Sequence, residues 1–334
     1  MCEVQSPPWH ASRSLDRPAR HLARCAALVL GGGAIALVGL GIGFIGCGPA
    51  TPPPSAAVAD APATPAIRIA SLSPAMSRTL VDLGIGRPGT GSAIVGRTPF
   101  CDVVDPATPV IGSLLEIDYE RLHAVQATHI LVQPAAAGID PELERIAAAT
   151  GAMLESVRLN TVVDVVAMIE RLPGVFALTP SQETRRVAAL DGLRRLQSAT
   201  VASDAPRVLL LVGVEPVTAA GPESYLHDLL RGAGCRNAVQ RAAYPELSLE
   251  DVVTANPDAI IVLRERPLDT AAADAVLATL RATATAAARG GRVAVFADPD
   301  VLLPSSRFGD VALTFAARVR LMFENSGTTE ATTP

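Results

Sequence analysis

The sequence predicts an α/β protein of two lobes, each with a mostly parallel sheet, joined by a long helical connection. Residues 116–133 and 246–263 are two copies of one unit, in which two glutamates flank a helix-capping residue and an apolar β-run follows. Such a repeat indicates two similar lobes rather than one continuous core. Strand and helix patterns alternate in both lobes, as in βαβ units, whereas residues 161–201 show a helical pattern without a strand.

The individual elements follow from local signals. Ser73 is placed to cap a helix that begins at Pro74, because proline favours the first helical position. Leu-Pro-Gly at 172–174 should kink or break the connecting helix. The predicted strands are 67–71, a strand near 110, 129–133, 153–158, 207–212, 259–263 and 292–296. The predicted helices are 74–83, 118–126, 140–150, 223–233, 249–255, 270–289 and 309–323.

These elements define the domain organisation. The predicted parts are a targeting segment (1–47), a Pro/Ala linker (48–66), a first lobe (67–160), a backbone helix (161–203), a second lobe (204–325) and a disordered tail (326–334). In sheets of this kind ligands bind beyond the carboxyl ends of the strands. We therefore expect a ligand cleft between the two lobes.

The N-terminus has the pattern of an export signal. Four arginines precede an apolar run, 26–46, which ends at Cys47. A basic region, an apolar region and a small residue before a cysteine are typical of a bacterial lipoprotein signal that is cut before the lipidated cysteine. The run is also long enough to span a bilayer as an uncleaved helix, and ordinary secretion is a third possibility. The first two interpretations tether the protein outside the cytoplasm, in the periplasm, through Cys47 or through a transmembrane helix.

Composition excludes several function classes. The 334-residue chain has a net charge of −5 and no basic stripe, so we expect no nucleic-acid partner. No CxxC, HExxH or close histidine pair is present, and His123 and His129 are poorly placed to share a metal. We therefore predict no metal site and no cofactor. Cys101 and Cys235 fall in different lobes, and a bridge between them would lock the lobes together, so we expect no disulfide.

Six motifs occur in order along the two lobes. They are Ile-Ala-Ser-Leu-Ser-Pro (69–74), Pro-Phe-Cys-Asp (99–102), Ile-Asp-Tyr-Glu (117–120), Gly-Pro-Glu-Ser-Tyr-Leu (221–226), Tyr-Pro before Ser-Leu-Glu (244–250) and Arg-Phe-Gly (307–309). Together with the lobe–helix–lobe layout, over residues 67–323, they resemble the class III, helical-backbone substrate-binding proteins of ABC importers, above all the cobalamin-binding members. The resemblance implies Rossmann-like (nitrogenase-like) lobes, a monomer, and a partner permease dimer with its ATPase subunits.

The resemblance gives the two repeated glutamates a role. In this family one acidic residue on each lobe pairs with arginines of the permease, and Glu120 and Glu250 match those positions. Exposed carboxylates suit such docking, since they steer association and set register. The alternative is purely local, because an acid in the first turn of a helix is favoured by the helix dipole by about 0.3–1 kcal/mol.

The resemblance also implies a set of ligand contacts. The candidates are Phe100, Cys101, Leu114, Gln133, Tyr244, Ser305, Ser306 and Arg307. Phe100 and Tyr244 match aromatic positions in the cobalamin-binding members, whereas Leu114 and Gln133 stand where those members carry rings. This departure leaves three ligand classes open: cobalamin, a smaller corrinoid, and an iron chelate such as a siderophore or haem whose acidic groups Arg307 would hold. Local packing is the alternative for Phe100, and a small buried side chain is the alternative for Cys101.

An enzyme and a tethered sensor are the two alternatives to a transport function. An enzyme of this fold would need cluster cysteines or a nucleophile–base set, and neither pattern occurs in the sequence. A tethered sensor would share the fold and the cleft without docking to a permease. The sequence therefore predicts a non-enzymatic binding protein that delivers a corrinoid, with an iron chelate or a sensor role as the alternatives.

Overall fold

The computed structural model describes residues 67–87, 91–113, 115–134 and 138–324. The predicted targeting segment, the Pro/Ala linker and the C-terminal tail lie outside the described residues, as does the proposed lipidation site, Cys47. None of the helices in the described ranges combines the length and apolar composition needed to cross a membrane.

The first lobe contains a parallel sheet with the strand order β2-β1-β3-β4. Its strands are β1 (Ile67–Ser71), β2 (Ser92–Gly96), β3 (His129–Val132) and β4 (Met153–Ser156), and its helices are α1 (Pro74–Leu83), α2 (Tyr119–Ala124) and α3 (Pro141–Thr150). Ser73 caps α1 as predicted, since its side chain accepts a hydrogen bond from the Met76 amide. β2 was not predicted, and the strand expected near 110 is a single bridge between Arg97 and Val110.

The connection between the lobes consists of two helices. These are α4 (Val162–Val175) and α5 (Pro180–Gln197). The break comes after Pro173 rather than at it: Phe176 turns extended, and Thr179 is held extended by the proline that follows it. Thr179 then starts α5 through a capping box with Gln182. The predicted interruption exists, displaced by a few residues.

The second lobe contains a mixed sheet with the order β10-β9-β5-β6-β8, and β7 pairs with β5. Its strands are β5 (Arg207–Val214), β6 (Val217–Ala219), β7 (Arg236–Asn237), β8 (Glu246–Leu247), β9 (Ala259–Arg264) and β10 (Val293–Ala297). Its helices are α6 (Tyr225–Gly232), α7 (Leu249–Ala255), α8 (Thr270–Arg281), α9 (Ala286–Arg289) and α10 (Phe308–Glu324). β6 runs antiparallel to both of its neighbours. The helix predicted at 270–289 is divided, because Thr285 caps a new helix by accepting from the Ala288 amide.

The predicted α/β class with two lobes is confirmed, but the two lobes share part of their apolar core. The outer face of each sheet packs on its own apolar cluster, which includes Ile130 in the first lobe and Ile260 in the second. A third and larger cluster joins the two sheets, running from Ile69 through Leu193 of α5 to Leu210. The two lobes were predicted, whereas the cluster that they share in addition to their own was not. Strands of parallel sheets are buried on both faces, and here the connecting helices cover the inner face of each sheet.

Two half-buried histidines should make stability depend on pH. Burial lowers the pKa of His129 on β3, whose ring lies 5.9 Å from that of Phe176, and it also lowers the pKa of His227 on α6. A histidine whose folded pKa is depressed binds fewer protons in the folded than in the unfolded chain. We therefore expect the free energy of unfolding to fall as pH drops from about 7.5 to about 5.5, through the ordinary histidine pKa of about 6.5.

Denaturant unfolding of H129Q/H227Q at the same pH values tests this dependence. The double variant should lose less stability on acidification than the wild type. H123Q is the matched control, because His123 is exposed and its side chain is solvated in both states. A slope that is unchanged in the double variant would contradict the assignment.

Candidate ligand cleft and docking glutamates

A cleft of 390 Å³ lies between the lobes at the carboxyl ends of their strands. Its lining residues come from the segments that follow β1, β3, β4 and β10 and from two loops of the second lobe. They are Pro74, Ala75, Gln133, Leu159, Asn160, Glu223, Tyr225, Ala243, Tyr244, Leu302, Leu303 and Pro304. This is the position that the sequence predicted for a ligand, and the volume falls in the range of about 300–1,000 Å³ typical of small-molecule sites.

The first-lobe wall is positioned by the start of α1. Ser73 caps this helix and donates its hydroxyl to Oε1 of Gln133 over 3.5 Å. Pro74 and Ala75 form the first turn and line the cleft. Among the described residues the amide nitrogen of Gln133 has no acceptor, so this donor is available to a ligand. This wall therefore offers hydrogen bonds but no charge.

The second-lobe wall contains two neighbouring tyrosines. Tyr225 begins α6 and is 6% exposed, while Tyr244 lies at the rim with 43% of its surface exposed. Burial, reinforced by the phenol of Tyr244, raises the pKa of Tyr225 well above its ordinary value, and burial raises the pKa of Tyr244 to about 12. Both phenols therefore stay protonated near neutral pH and present neutral hydroxyls and ring faces.

The loop that carries Tyr244 is tied to the start of α6 by a close backbone approach. The Gly221 amide donates to the carbonyl of Ala243 over 2.7 Å, and Ala243 has a positive φ of 54°. A Cβ on Gly221 would lie 1.9 Å from the carbonyl oxygen of Arg241. Only glycine fits at this position. Gly221 therefore helps to fix the position of the loop that carries Tyr244.

The lobes touch directly at one side of the cleft. The Tyr225 amide donates to the carbonyl of Asn160 over 2.6 Å, and the Val162 amide donates to Oδ2 of Asp228 over 3.3 Å. These bonds join the first turn of α6 to the start of α4. The cleft is consequently closed at this edge by hydrogen bonds between the lobes.

The structure places the predicted ligand contacts in different surroundings. Gln133 and Tyr244 line the cleft, whereas Phe100 and Cys101 do not belong to its lining. Phe100 is 69% exposed, and Cys101 is 1% exposed, with its sulfur 3.1 Å from the Ser77 hydroxyl and 3.2 Å from that of Thr98. Leu114 lies outside the described residues. Cys101 and Cys235 are both free and buried.

The segment Ser305–Arg307 faces α1 rather than the cleft. Ser305 is fully buried, and Ser306 donates its hydroxyl to Asp82 over 2.9 Å. Arg307 has Asp310 at 3.3 Å and Asp82 at 3.7 Å as acidic neighbours and lines a separate cavity. Contact of these three residues with a ligand stays a prediction. The structure instead gives them a role in joining the lobes.

Glu120 and Glu250 occupy equivalent positions in the two lobes. Each is the second residue of its helix, after the capping residues Asp118 and Ser248, and each is exposed. The neighbouring acids at these helix starts already have partners. Asp118 pairs with Arg121, and Asp251 bonds to Ser248 in the capping box of α7. Within the described ranges, neither glutamate forms a salt bridge or a side-chain hydrogen bond. Both carboxylates are thus available to a partner.

Three polar residues of the cleft lining were not among the sequence candidates. Asn160 and Glu223 precede helices, and Tyr225 starts one. Tyr225 belongs to the Gly-Pro-Glu-Ser-Tyr-Leu motif, so the sequence singled out this residue. It did not indicate that the side chain faces the cleft. Among the described residues, no group of three or more histidine, cysteine, aspartate or glutamate side chains could hold a metal ion.

A family model described as "Periplasmic binding protein" matches residues 69–300. No curated protein matches the chain. Among solved structures, the periplasmic heme-binding protein BhuT in complex with two hemes aligns with a TM-score of 0.62 at 22% identity, covering 76% of this chain and 98% of that one. The periplasmic vitamin B12-binding protein BtuF of Vibrio cholerae aligns with a TM-score of 0.58 at 16% identity, covering 78% of this chain and 98% of that one.

A third solved structure is a possible iron-binding protein, described as a periplasmic solute-binding protein, from Staphylococcus epidermidis ATCC 12228. It aligns with a TM-score of 0.57 at 16% identity, covering 77% of this chain and 98% of that one. At these identities the likeness establishes the fold.

Proposed function

Since this chain belongs to the periplasmic binding protein family, we propose that it is the substrate-binding component of an ABC importer and carries a corrinoid in the cleft between its lobes. It works in the periplasm, held to the membrane through Cys47 or an N-terminal helix, and delivers its ligand to a permease dimer with its ATPase subunits. It acts as a monomer.

The observation that carries the ligand assignment is the charge of the cleft. Among the described residues, its lining contains one carboxylate, Glu223, and no arginine or histidine. Haem bears two propionates and many ferric chelates are anionic, so either would favour a cation in the wall. A corrinoid instead carries amide side chains around a cationic cobalt centre. The amides of Gln133 and Asn160 and the tyrosine hydroxyls match such a periphery.

The alternative ligand, an iron chelate, requires that Arg307 hold its acidic groups. This guanidinium faces three carboxylates, with Asp300 at 3.9 Å as the third, and it lines a different cavity from the cleft. An anionic ligand in the cleft would therefore not be bound by Arg307. The cleft volume of 390 Å³ is small for a whole corrin, so the ring would be held by one edge with Tyr244 at its face.

Absorbance spectra test the ligand directly. Purified protein is incubated with cobalamin, cobinamide, haemin or a ferric siderophore and separated from free ligand by gel filtration. We expect a corrinoid spectrum to be retained, and Y244A to weaken corrinoid binding by about 10-fold, the loss of one stacked aromatic contact. Retention of haemin or the siderophore with loss of both corrinoids would overturn the assignment.

Two measurements control this experiment. The thermal midpoint of Y244A should stay close to that of the wild type, because Tyr244 is at the rim and 43% exposed. F100A is the matched aromatic variant: its side chain is exposed and is not in the cleft lining, so we expect a smaller effect. A loss as large as that of Y244A would mean that Phe100 also contacts the ligand, as the family resemblance implies.

A further inference from the structure

A second cavity, of 690 Å³, lies where α1, α5 and the start of α10 meet. Its basic lining residues are Arg78, Arg87, Arg185, Arg195 and Arg307. Among the described residues, two acidic side chains, Asp82 and Asp310, line it. Five arginines therefore face two aspartates in the lining, in a chain whose net charge is −5. We call this space the arginine cavity.

Two of these arginines are explained by structural ion pairs. Arg78 Nη2 lies 2.7 Å from Oδ2 of Asp300, a carboxylate that is only 5% exposed. Arg307 lies near Asp310, Asp82 and the same Asp300. These contacts hold the segment before α10 against α1. The aspartates of the arginine cavity are therefore already engaged with Arg307.

Arg185 and Arg195 on α5 lack an acidic partner. Arg185 donates from Nη1 to the backbone carbonyl of Asp82 over a long 3.4 Å, and in the described part of the chain Arg195 forms no ion pair. The contrast is with Arg186 and Arg194 on the same helix, which pair with glutamates. Of the α5 arginines, the two that line the cavity are thus the ones without an acidic partner among the described residues.

The floor of the arginine cavity is made of backbone and small side chains. Ala188, Ala189, Gly192 and Gly309 line it. A Cβ on Gly309 would lie 3.0 Å from Gly192 Cα, so α5 and α10 touch through their glycines. Small residues below and arginines around the rim leave a concave space that a ligand can enter.

We propose that the arginine cavity binds an anion that carries a phosphate group, as a site separate from the ligand cleft. Guanidinium groups bind phosphate oxygens through paired, charge-assisted hydrogen bonds. Arg185 and Arg195, ten residues and so about 15 Å apart along α5, supply such donors at two separate points of the cavity. The volume exceeds that of inorganic phosphate, so the site accommodates a phosphate ester. An anion here contacts α1 of the first lobe, the connecting helix α5 and the start of α10.

Isothermal titration calorimetry of the full chain at low ionic strength tests the proposal. The probes are inorganic phosphate, glycerol 1-phosphate and glycerophosphoglycerol, the deacylated headgroup of phosphatidylglycerol. We expect saturable binding that weakens about 10-fold or more in R185Q/R195Q, since the variant removes two charge-assisted hydrogen-bond donors. Preference for glycerol 1-phosphate indicates a soluble ester, and preference for glycerophosphoglycerol indicates a lipid headgroup.

The control variant is R145Q/R281Q, which removes two exposed arginines from surface ion pairs and changes the net charge equally. It should bind the probes as the wild type does. Absence of binding by the wild type, or equal weakening in both double variants, would overturn the proposal. Corrinoid retention, measured on the same variants, should not change in R185Q/R195Q, so this test and that of the proposed function fail independently.

Discussion

Neutralising Glu120 and Glu250, for which we propose a docking role, in E120Q/E250Q is expected to abolish most stimulation of the transporter ATPase while leaving ligand binding intact. Both carboxylates are exposed, one on each lobe, and neither is engaged by the described part of the chain. An exposed apolar residue precedes each glutamate along the chain, Leu115 by five positions and Leu249 by one, a mixture suited to a protein interface. We expect a loss of about 10-fold or more, because two charge pairs with the permease disappear together.

ATPase stimulation and uptake in reconstituted vesicles measure this effect. E144Q/E324Q is the matched control, since it removes two exposed carboxylates, one from each lobe, for the same change in net charge. The local alternative, in which the glutamates only stabilise their helices, predicts a loss of stability of about 0.3–1 kcal/mol for each glutamate, and normal transport. Normal uptake by E120Q/E250Q would show that the protein does not dock through these residues, and would favour a sensor role.

Placing alanine at Gly221 is expected to damage the second-lobe wall of the cleft more than any rim substitution. The added Cβ would lie 1.9 Å from the Arg241 carbonyl and 3.0 Å from that of Ala243, and backbone cannot yield as a flexible side chain does. We expect a loss of about 2–3 kcal/mol in the free energy of unfolding, as for other overpacked sites. Displacement of the Tyr244 loop should weaken ligand binding as well.

Denaturant unfolding and ligand retention are the measurements for G221A. G174A is the control, because Gly174 is an exposed helical residue with nothing within 4 Å of an added Cβ. Alanine there should raise stability by up to about 1 kcal/mol through its higher helix propensity. If G221A were as stable as the wild type, the loop of Tyr244 would be free to move and would not be positioned by this glycine.

Local chemistry made the main elements predictable. Ser73, Asp118 and Ser248 cap the helices that they were expected to cap, since a cap needs only a side-chain oxygen and a nearby amide. The short antiparallel strands β6 and β8 were missed because two or three residues are too few to show a periodic pattern. The break predicted at 172–174 falls at Phe176 instead, because α4 accommodates Pro173 and ends at Val175. Pro180 then holds Thr179 extended before α5 begins.

The site was predictable in location but not in the direction of its side chains. Gln133 follows a parallel strand, so its place at the cleft follows from topology. Ser306 and Arg307 lie in a loop without periodicity, where no local pattern states which way a side chain turns, and they turn toward Asp82. The arginine cavity could not be predicted at all, because Arg78, Arg185 and Arg307 are brought together only by packing.

The apolar cluster shared by the two sheets limits the modularity of this architecture. The repeat at 116–133 and 246–263 suggests two interchangeable halves, but Leu193 of α5 packs in the same cluster as residues of both sheets. Cutting the chain in the connection would expose that cluster on each fragment. A half of this protein could therefore not be exchanged with that of a relative unless the connecting helices were exchanged with it.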